Sequence, residues 1–261
     1  MLGLLLAFLS SFFWATNDLF TKKLIHKGLN EDFVLWVRFP VSALLLLPVG
    51  IVYWDLNSFV LLTTFIWLPF EILGSLFFVR ALKYAPLSVA MSFYSLMPFF
   101  AVIFGFFLLG EGINLLGFLG ICLIVLGTLL LTGSSPREFF RKNRGVLYML
   151  LSTMLFGFNV IVGKMVIINS NPFFFSFYYS LCMSLGTLLF TKPSQITNLK
   201  SYREKSLLLL GVFFTLGEML YNLALLYAPA SYVASIERLS LLLVMIYGKV
   251  FFQEEVKGIL P

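Results

Sequence analysis

The sequence predicts an all-α membrane protein, an inverted-repeat bundle of transmembrane helices, and three observations carry that prediction. Of its 261 residues, 60% are hydrophobic and 11% charged, a balance outside the range of soluble domains. Apolar runs of about 20 residues, the length needed to cross the hydrocarbon of a bilayer, recur along the chain. The second half also repeats the first at an offset of about 142 to 143 residues. At that offset Gly3 meets Gly145, Ser11 meets Thr153, Trp14 meets Phe156, Asn17 meets Asn159 and Lys22 meets Lys164. Further on, the run from Ala81 to Pro86 meets the run from Ala224 to Pro229, and Glu111 meets Glu254.

Taken in order, the predicted helices run from Gly3 to Phe20, Phe33 to Trp54, Phe59 to Arg80, Leu87 to Leu109 and Asn114 to Thr132. A connector at 133–145 follows, with Arg137, Arg141, Lys142 and Arg144 close together. Beyond it come Val146 to Ile168, Phe173 to Phe190, Leu207 to Tyr227 and Ala230 to Phe252. The first repeat (1–132) thus holds five helices and the second (146–261) four. The counterpart of the fifth helix, a tenth, is expected to be missing, by truncation or by loss. A copy with an odd number of spans inserts upside down relative to its partner, which makes the halves inverted.

The start of the chain has no basic segment before its apolar run and no small-residue cleavage site after it, so that run is expected to stay as the first helix. Pro48, Pro69 and Pro98 mark kinks, because their freed carbonyls need partners in neighbouring helices or water. Gly117, Gly120 and Gly127 would let a helix approach closely. Cys122 and Cys182 lie in apolar runs, where a thiol packs as a small hydrophobe.

The net charge of +6 sits in short loops, with no basic face interleaved with exposed aromatics, so nucleic acid is not an expected partner. Lys22, Lys23, Lys27, Lys83, Arg137, Arg141, Lys142, Arg144, Lys192, Lys200, Arg203 and Lys205 fall in or beside alternate loops. The positive-inside rule puts those loops in the cytoplasm and the N-terminus outside.

With these elements in place, the chain resembles the EamA family of the drug/metabolite transporter superfamily. The resemblance rests on Trp14-Ala15-Thr16-Asn17-Asp18 with Lys22, on Arg38, and on Tyr84-Ala85-Pro86 with Pro98. It also rests on Gly110-Glu111 leading to Gly117, Gly120 and Gly127. It implies ten helices in two inverted five-helix halves, a central cavity that moves small metabolites, amino acids or drugs, and a cytoplasmic N-terminus. That last implication opposes the loop charges, and the orientation stays open between the two. The sequence departs from the pattern in the tenth helix, in Leu241 where Pro98 has its counterpart, and in Ser180 opposite Arg38.

Charged groups at bilayer depth cost roughly 2.5–3.5 kcal/mol each on insertion scales, so they pair or line a wet cavity. The candidates for substrate or ion binding are Asp18, Arg38, Glu71, Glu218, Glu237 and Arg238, with Tyr94, Tyr221 and Asn222 as polar neighbours. Asp18 near its helix end has a second reading as a solvated terminal residue. Lys22, Arg80 and Lys164 are expected to snorkel to the headgroups. Glu237 and Arg238 are adjacent on a predicted helix and point about 100° apart, so each is expected to find its partner on another helix, Arg38 or Asp18 for example. Glu71 and Glu218 fall one helical turn apart in repeat register and should face the same way, to accept a coupling proton or meet a cationic group. Hydrogen bonding between helices is the structural alternative for both. Of the other tyrosines, Tyr84, Tyr178 and Tyr179 are expected at the interface.

Signals of catalysis are weak. His26 lies among lysines with no cluster fit for a metal. Gly157 and Gly163-Lys164 have the wrong spacing for a phosphate loop, and Met165 replaces the required hydroxyl. No catalytic residue, metal or cofactor is expected. The reading is a secondary-active transporter of small metabolites such as amino acids, an exporter or exchanger in the cell membrane (the inner membrane in a Gram-negative cell). It would work by alternating access, in contact with lipid and with proton or ion coupling. A broad-specificity drug exporter and a non-transporting membrane receptor or interaction protein are the alternatives.

Overall fold

The computed structural model describes residues 1–112, 115–120, 122–123, 144–197 and 205–252. The first half contains α1 (Leu2–His26), α2 (Glu31–Val52), α3 (Ser58–Tyr84), α4 (Leu87–Tyr94) and α5 (Met97–Leu109). The second contains α6 (Arg144–Ile168), α7 (Pro172–Leu188), α8 (Lys205–Tyr227), α9 (Ala230–Glu237) and α10 (Ser240–Phe252), with a single turn at Pro193–Ile196. Residues 115–120 and 122–123 are also helical; the rest of the predicted fifth span and most of the connector lie outside the described residues.

Local chemistry sets the helix boundaries. Asn30 caps α2, its side chain accepting from the backbone N–H of Asp32 and Phe33, with Glu31 and Asp32 in the favourable first turn. Asn57 and Asn171 cap α3 and α7 in the same way, and Pro172 opens α7 at a position where its missing N–H costs nothing. Pro86 ends α3 by holding Ala85 extended (φ −127°, ψ 153°). Pro229, its repeat counterpart, opens α9 with nearly the same backbone angles as Pro86. Gly110 ends α5 in the left-handed conformation (φ 64°) that favours glycine.

Helices from opposite halves pack on each other: α1 lies along α8, α3 along α6, and α2 along α7. The contacts come in repeat-related pairs. The Ser10 hydroxyl donates to the carbonyl of Gly217 (2.9 Å), and Ser152 donates to Gly74 (2.8 Å). The amide of Asn17 donates to Leu210 O and that of Asn159 to Trp67 O, both at 2.9 Å. The start of α1 touches the end of α8, where a Cβ on Gly3 would fall 2.9 Å from that of Ala228. The start of α6 touches the end of α3, where a Cβ on Gly145 would fall 2.6 Å from that of Ala85. Lys22, near the end of α1, donates to Ala85 O at that same end of the bundle (2.7 Å). Gly3 and Gly145 therefore sit at opposite ends, and the two halves are inverted.

Three expectations change. The predicted spans Leu87 to Leu109 and Ala230 to Phe252 are each broken, at Ser95–Leu96 and at Arg238–Leu239. Pro98 accordingly stands in the first turn of α5 instead of kinking a long helix, while Pro48 and Pro69 do lie inside α2 and α3. Lys22 and Lys164 are buried instead of snorkelling, and each caps a helix end. Lys22 bonds Leu82 O and Ala85 O, and Lys164 bonds Ala228 O (2.8 Å) and Glu111 (2.6 Å). An ammonium satisfies unpaired terminal carbonyls and complements the negative end of the helix dipole. The close approach expected at Gly120 is absent among the described residues, and Gly127 lies outside them.

Packing around the glycines gives a test with opposite signs. At Gly145 even one added methyl meets the backbone N of Ala85 at 2.8 Å, whereas at Gly120 it meets nothing within 4 Å among the described residues. Gly145→Ala should destabilise by about 1–3 kcal/mol, the cost of overpacking. Gly120→Ala should be neutral or stabilise by about 0.4–1 kcal/mol, by restricting the unfolded chain. Thermal unfolding of both variants in detergent measures the difference.

Candidate functional site

A cavity of about 130 Å³ open to water centres lies between the halves, walled by α1, α2 and α3 on one side and by α6, α7 and α8 on the other. It sits beside both helix breaks, since Tyr94 and Glu237, the last residues of α4 and α9, also line it. Discontinuous helices place irregular backbone only where a cavity or other protein covers it. Two glycines bring the aromatic wall in. Trp14 of α1 packs on Gly217 of α8, and Phe156, its repeat counterpart, packs on Gly74 of α3; both rings face the cavity.

Eight of the nine predicted residues line this space: Asp18, Arg38, Glu71, Tyr94, Glu218, Tyr221, Asn222 and Glu237. Because α1 continues to His26, Asp18 is a mid-helix residue, 5% exposed, and not a solvated terminal one. Arg38 donates to Asn17 Oδ1 (3.1 Å) and to Thr21 Oγ1 (3.2 Å), so α2 is tied to α1 beside the cavity. Glu71 accepts from Tyr179 OH (2.6 Å) and Asn159 Nδ2 (2.7 Å), which ties α3 to α7 and α6. Glu218 accepts from Asn222 one turn along α8 (2.9 Å), and Asn222 in turn donates to Ser176 of α7 (3.0 Å).

Arg238, the ninth residue, stands behind the wall. Its guanidinium carbon lies 4.0 Å from the centroid of the Tyr94 ring, and a terminal nitrogen pairs with the Glu237 carboxylate. The two charges thus find each other, contrary to the expectation that each needs a partner on another helix. Arg238 keeps α-helical backbone angles (φ −65°, ψ −10°), so the two side chains still leave the backbone about 100° apart, and the contact is made by the reach of the long arginine side chain. Arg238 reaches the first half through the Tyr94 ring instead of through Arg38 or Asp18.

Among the further residues that line the cavity and that sequence reasoning did not select are Trp14, Trp67, Asn159 and Tyr179. Trp14 and Asn159 are repeat-matched positions, and that match was the available signal. Tyr179 was assigned to the interface, the common place for a membrane tyrosine; its hydroxyl instead holds Glu71, and its ring stacks on Trp67 with centroids 5.5 Å apart. Tyr84 is exposed at the end of α3, and Tyr178 bonds Thr64. Among the described residues no His, Cys, Asp and Glu cluster is placed to hold a metal.

Comparison with known proteins agrees with this geometry. The model of the EamA-like transporter family matches residues 1–133 and again 143–260. A solved crystal structure superimposes with a TM-score of 0.65 at 16% identity, covering 95% of this chain and 87% of its own, which speaks to the fold alone. No curated protein sequence matches significantly.

The Glu71 site makes a stability prediction. Tyr179→Phe removes a buried donor from the carboxylate and should cost about 1.5–3 kcal/mol. In a Glu71→Gln background the same substitution should cost clearly less, because the two residues act as one unit. A double-mutant cycle on unfolding free energy in detergent reads that coupling.

Proposed function

We propose, from the premise that this chain belongs to the EamA-like transporter family, that it is a secondary-active carrier of small metabolites such as amino acids, acting as exporter or exchanger by alternating access. The family consists of membrane drug/metabolite transporters, so a multi-pass protein in lipid with a small-molecule substrate is the starting point. On this reading residues 1–132 and 146–261 are the two moving repeats, 133–145 joins them, and the membrane is that of the cell, the inner one in a Gram-negative organism. The observation that carries the reading is one cavity lined by carboxylates from both inverted halves and flanked by paired helix breaks.

In this mechanism the repeats rock about the fixed site, and the breaks at Ser95–Leu96 and Arg238–Leu239 are the points that bend. Glu218 exchanges the coupling proton, because one of its oxygens is held only by Asn222 and it faces the cavity. Glu71, held by two donors, is the weaker candidate. A broad-specificity drug exporter is the second reading, favoured by the aromatic wall.

Counterflow of pooled metabolites into proteoliposomes, followed by mass spectrometry, tests the carrier reading directly. Uptake of at least one metabolite is expected, and none across the pool would contradict it. With that substrate, Glu218→Gln should flatten the dependence of transport on pH. An unchanged pH profile in both Glu218→Gln and Glu71→Gln would leave those residues a structural role only.

A further inference from the structure

The repeat sorts the buried polar groups into two sets. One is duplicated: Ser10 and Ser152, Asn17 and Asn159 bond equivalent carbonyls across the two halves, and Lys22 and Lys164 bond equivalent helix-end carbonyls each within its own half. The other is present in one half only. At the same offset Asp18 falls on Val160, Arg38 on Ser180, Glu71 on Phe214, Glu218 on Ser75, and Glu237 on Tyr94. Groups that hold two antiparallel halves together are needed in both, so scaffolding accounts for the first set. It does not account for the second, whose five charged members all line the cavity.

Nor do the charges of the second set cancel. Four carboxylates and one guanidinium face the cavity. Arg238 is engaged by Glu237 and the Tyr94 ring. The terminal nitrogens of Arg38 are held by Asn17 and Thr21. Glu71 and Glu218 meet only neutral donors. Asp18, 95% buried by its 5% exposure, has no hydrogen bond or ion pair among the described residues, and it faces the cavity. Asn159 Oδ1 and the Tyr221 hydroxyl, on cavity-lining residues, are likewise buried without a partner. An unpaired charge at this depth is costly, and its retention marks function. Arg238 shows how this wall holds a cation, with an aromatic face on one side and a carboxylate on the other.

We infer that the cavity takes organic cations: compounds with a protonated amine, held by Asp18 and Glu218, and a flat apolar body laid against Trp14, Phe156 and Phe214. This narrows the proposed carrier function to a substrate class and rests on that reading. An anion of the same shape meets Asp18, Glu71 and Glu218, the three lining carboxylates that make no ion pair among the described residues. A zwitterion brings its carboxylate among the same carboxylates, where Arg38, whose two terminal nitrogens also donate to Asn17 and Thr21, is the one cation lining the cavity among the described residues.

Four probes share a phenyl ring and a short chain but differ in charge: phenethylamine, phenylalanine, 3-phenylpropionate and 2-phenylethanol. Titration of each into the purified full-length protein in nanodiscs, read by intrinsic fluorescence, should show phenethylamine binding at least tenfold more tightly than the other three. Asp18→Asn should weaken phenethylamine at least tenfold, with Asp18→Glu recovering part of the loss. If Asp18→Asn does not fold, Glu218→Gln is expected to show the same loss. Equal or tighter binding of phenylalanine or 3-phenylpropionate, binding of none of the four, or phenethylamine affinity unchanged in the folded variants would overturn the inference. Metabolite counterflow is scored separately. Transport without amine binding refutes the substrate class and leaves the carrier reading intact, whereas amine binding without any transport refutes the carrier reading alone.

Discussion

A polar group inside a bilayer has no water to turn to, so each one must be satisfied by the protein or face an aqueous space. That constraint organises this molecule. Lys22 and Lys164 each reach terminal carbonyls of a helix in their own half, and two serines and two asparagines pin the crossing helices of opposite halves. Lipid supplies little hydrophobic drive between helices, so close contact and hydrogen bonds must hold them. Glycines at Gly3, Gly74, Gly145 and Gly217 permit the contact, and the serines and asparagines supply the bonds along the same two interfaces.

The same constraint explains why the cavity sits where the helices break. Ending α4 at Tyr94 and α9 at Glu237 points both residues at the space between the halves, and a continuous helix would carry its side chains past it. Beside the break Glu237 and Arg238 pair, which neutralises one buried carboxylate and sets a cation on the Tyr94 ring. Aromatic contacts continue around the wall: Trp14 meets Phe214 edge-on at 5.3 Å, and Tyr179 bridges Trp67 and Phe214. Such a lining is apolar over most of its area with a few charged groups set into it, the composition of a small-molecule site.

The inverted architecture was legible in the sequence because the residues that hold it, Gly3 with Gly145, Asn17 with Asn159 and Lys22 with Lys164, recur at a fixed offset. The charged residues of the cavity were legible for a different reason: a charge in an apolar run is conspicuous whatever its surroundings. The helix breaks were not legible. Neither point carries a glycine, and Glu237-Arg238 shows in the sequence as two charges without showing a turn. Their pairing was missed because adjacency on a helix was read as excluding contact, whereas a guanidinium on a long side chain reaches its neighbour. Tyr179 was missed because ring and hydroxyl suit both an interface and a pocket, and only the nearby Glu71 on another helix decides between them. Snorkelling was the wrong expectation for Lys22 and Lys164, since a sequence does not show which carbonyls will lie within reach of an ammonium.

The central claim is that duplicated polar groups hold the scaffold while unduplicated charges serve the cavity. Unfolding midpoints of Lys22→Met, Lys164→Met and Asp18→Asn, measured side by side in one detergent, test it most directly. Each lysine variant should lose about 1.5–3 kcal/mol or more, by similar amounts, because each strips a charged donor from buried carbonyls. Asp18→Asn should cost clearly less than either, since Asp18 makes no hydrogen bond or ion pair among the described residues and is compensated only at longer range by Arg38. A loss in Asp18→Asn as large as in the lysine variants, or lysine variants with no loss, would contradict the division.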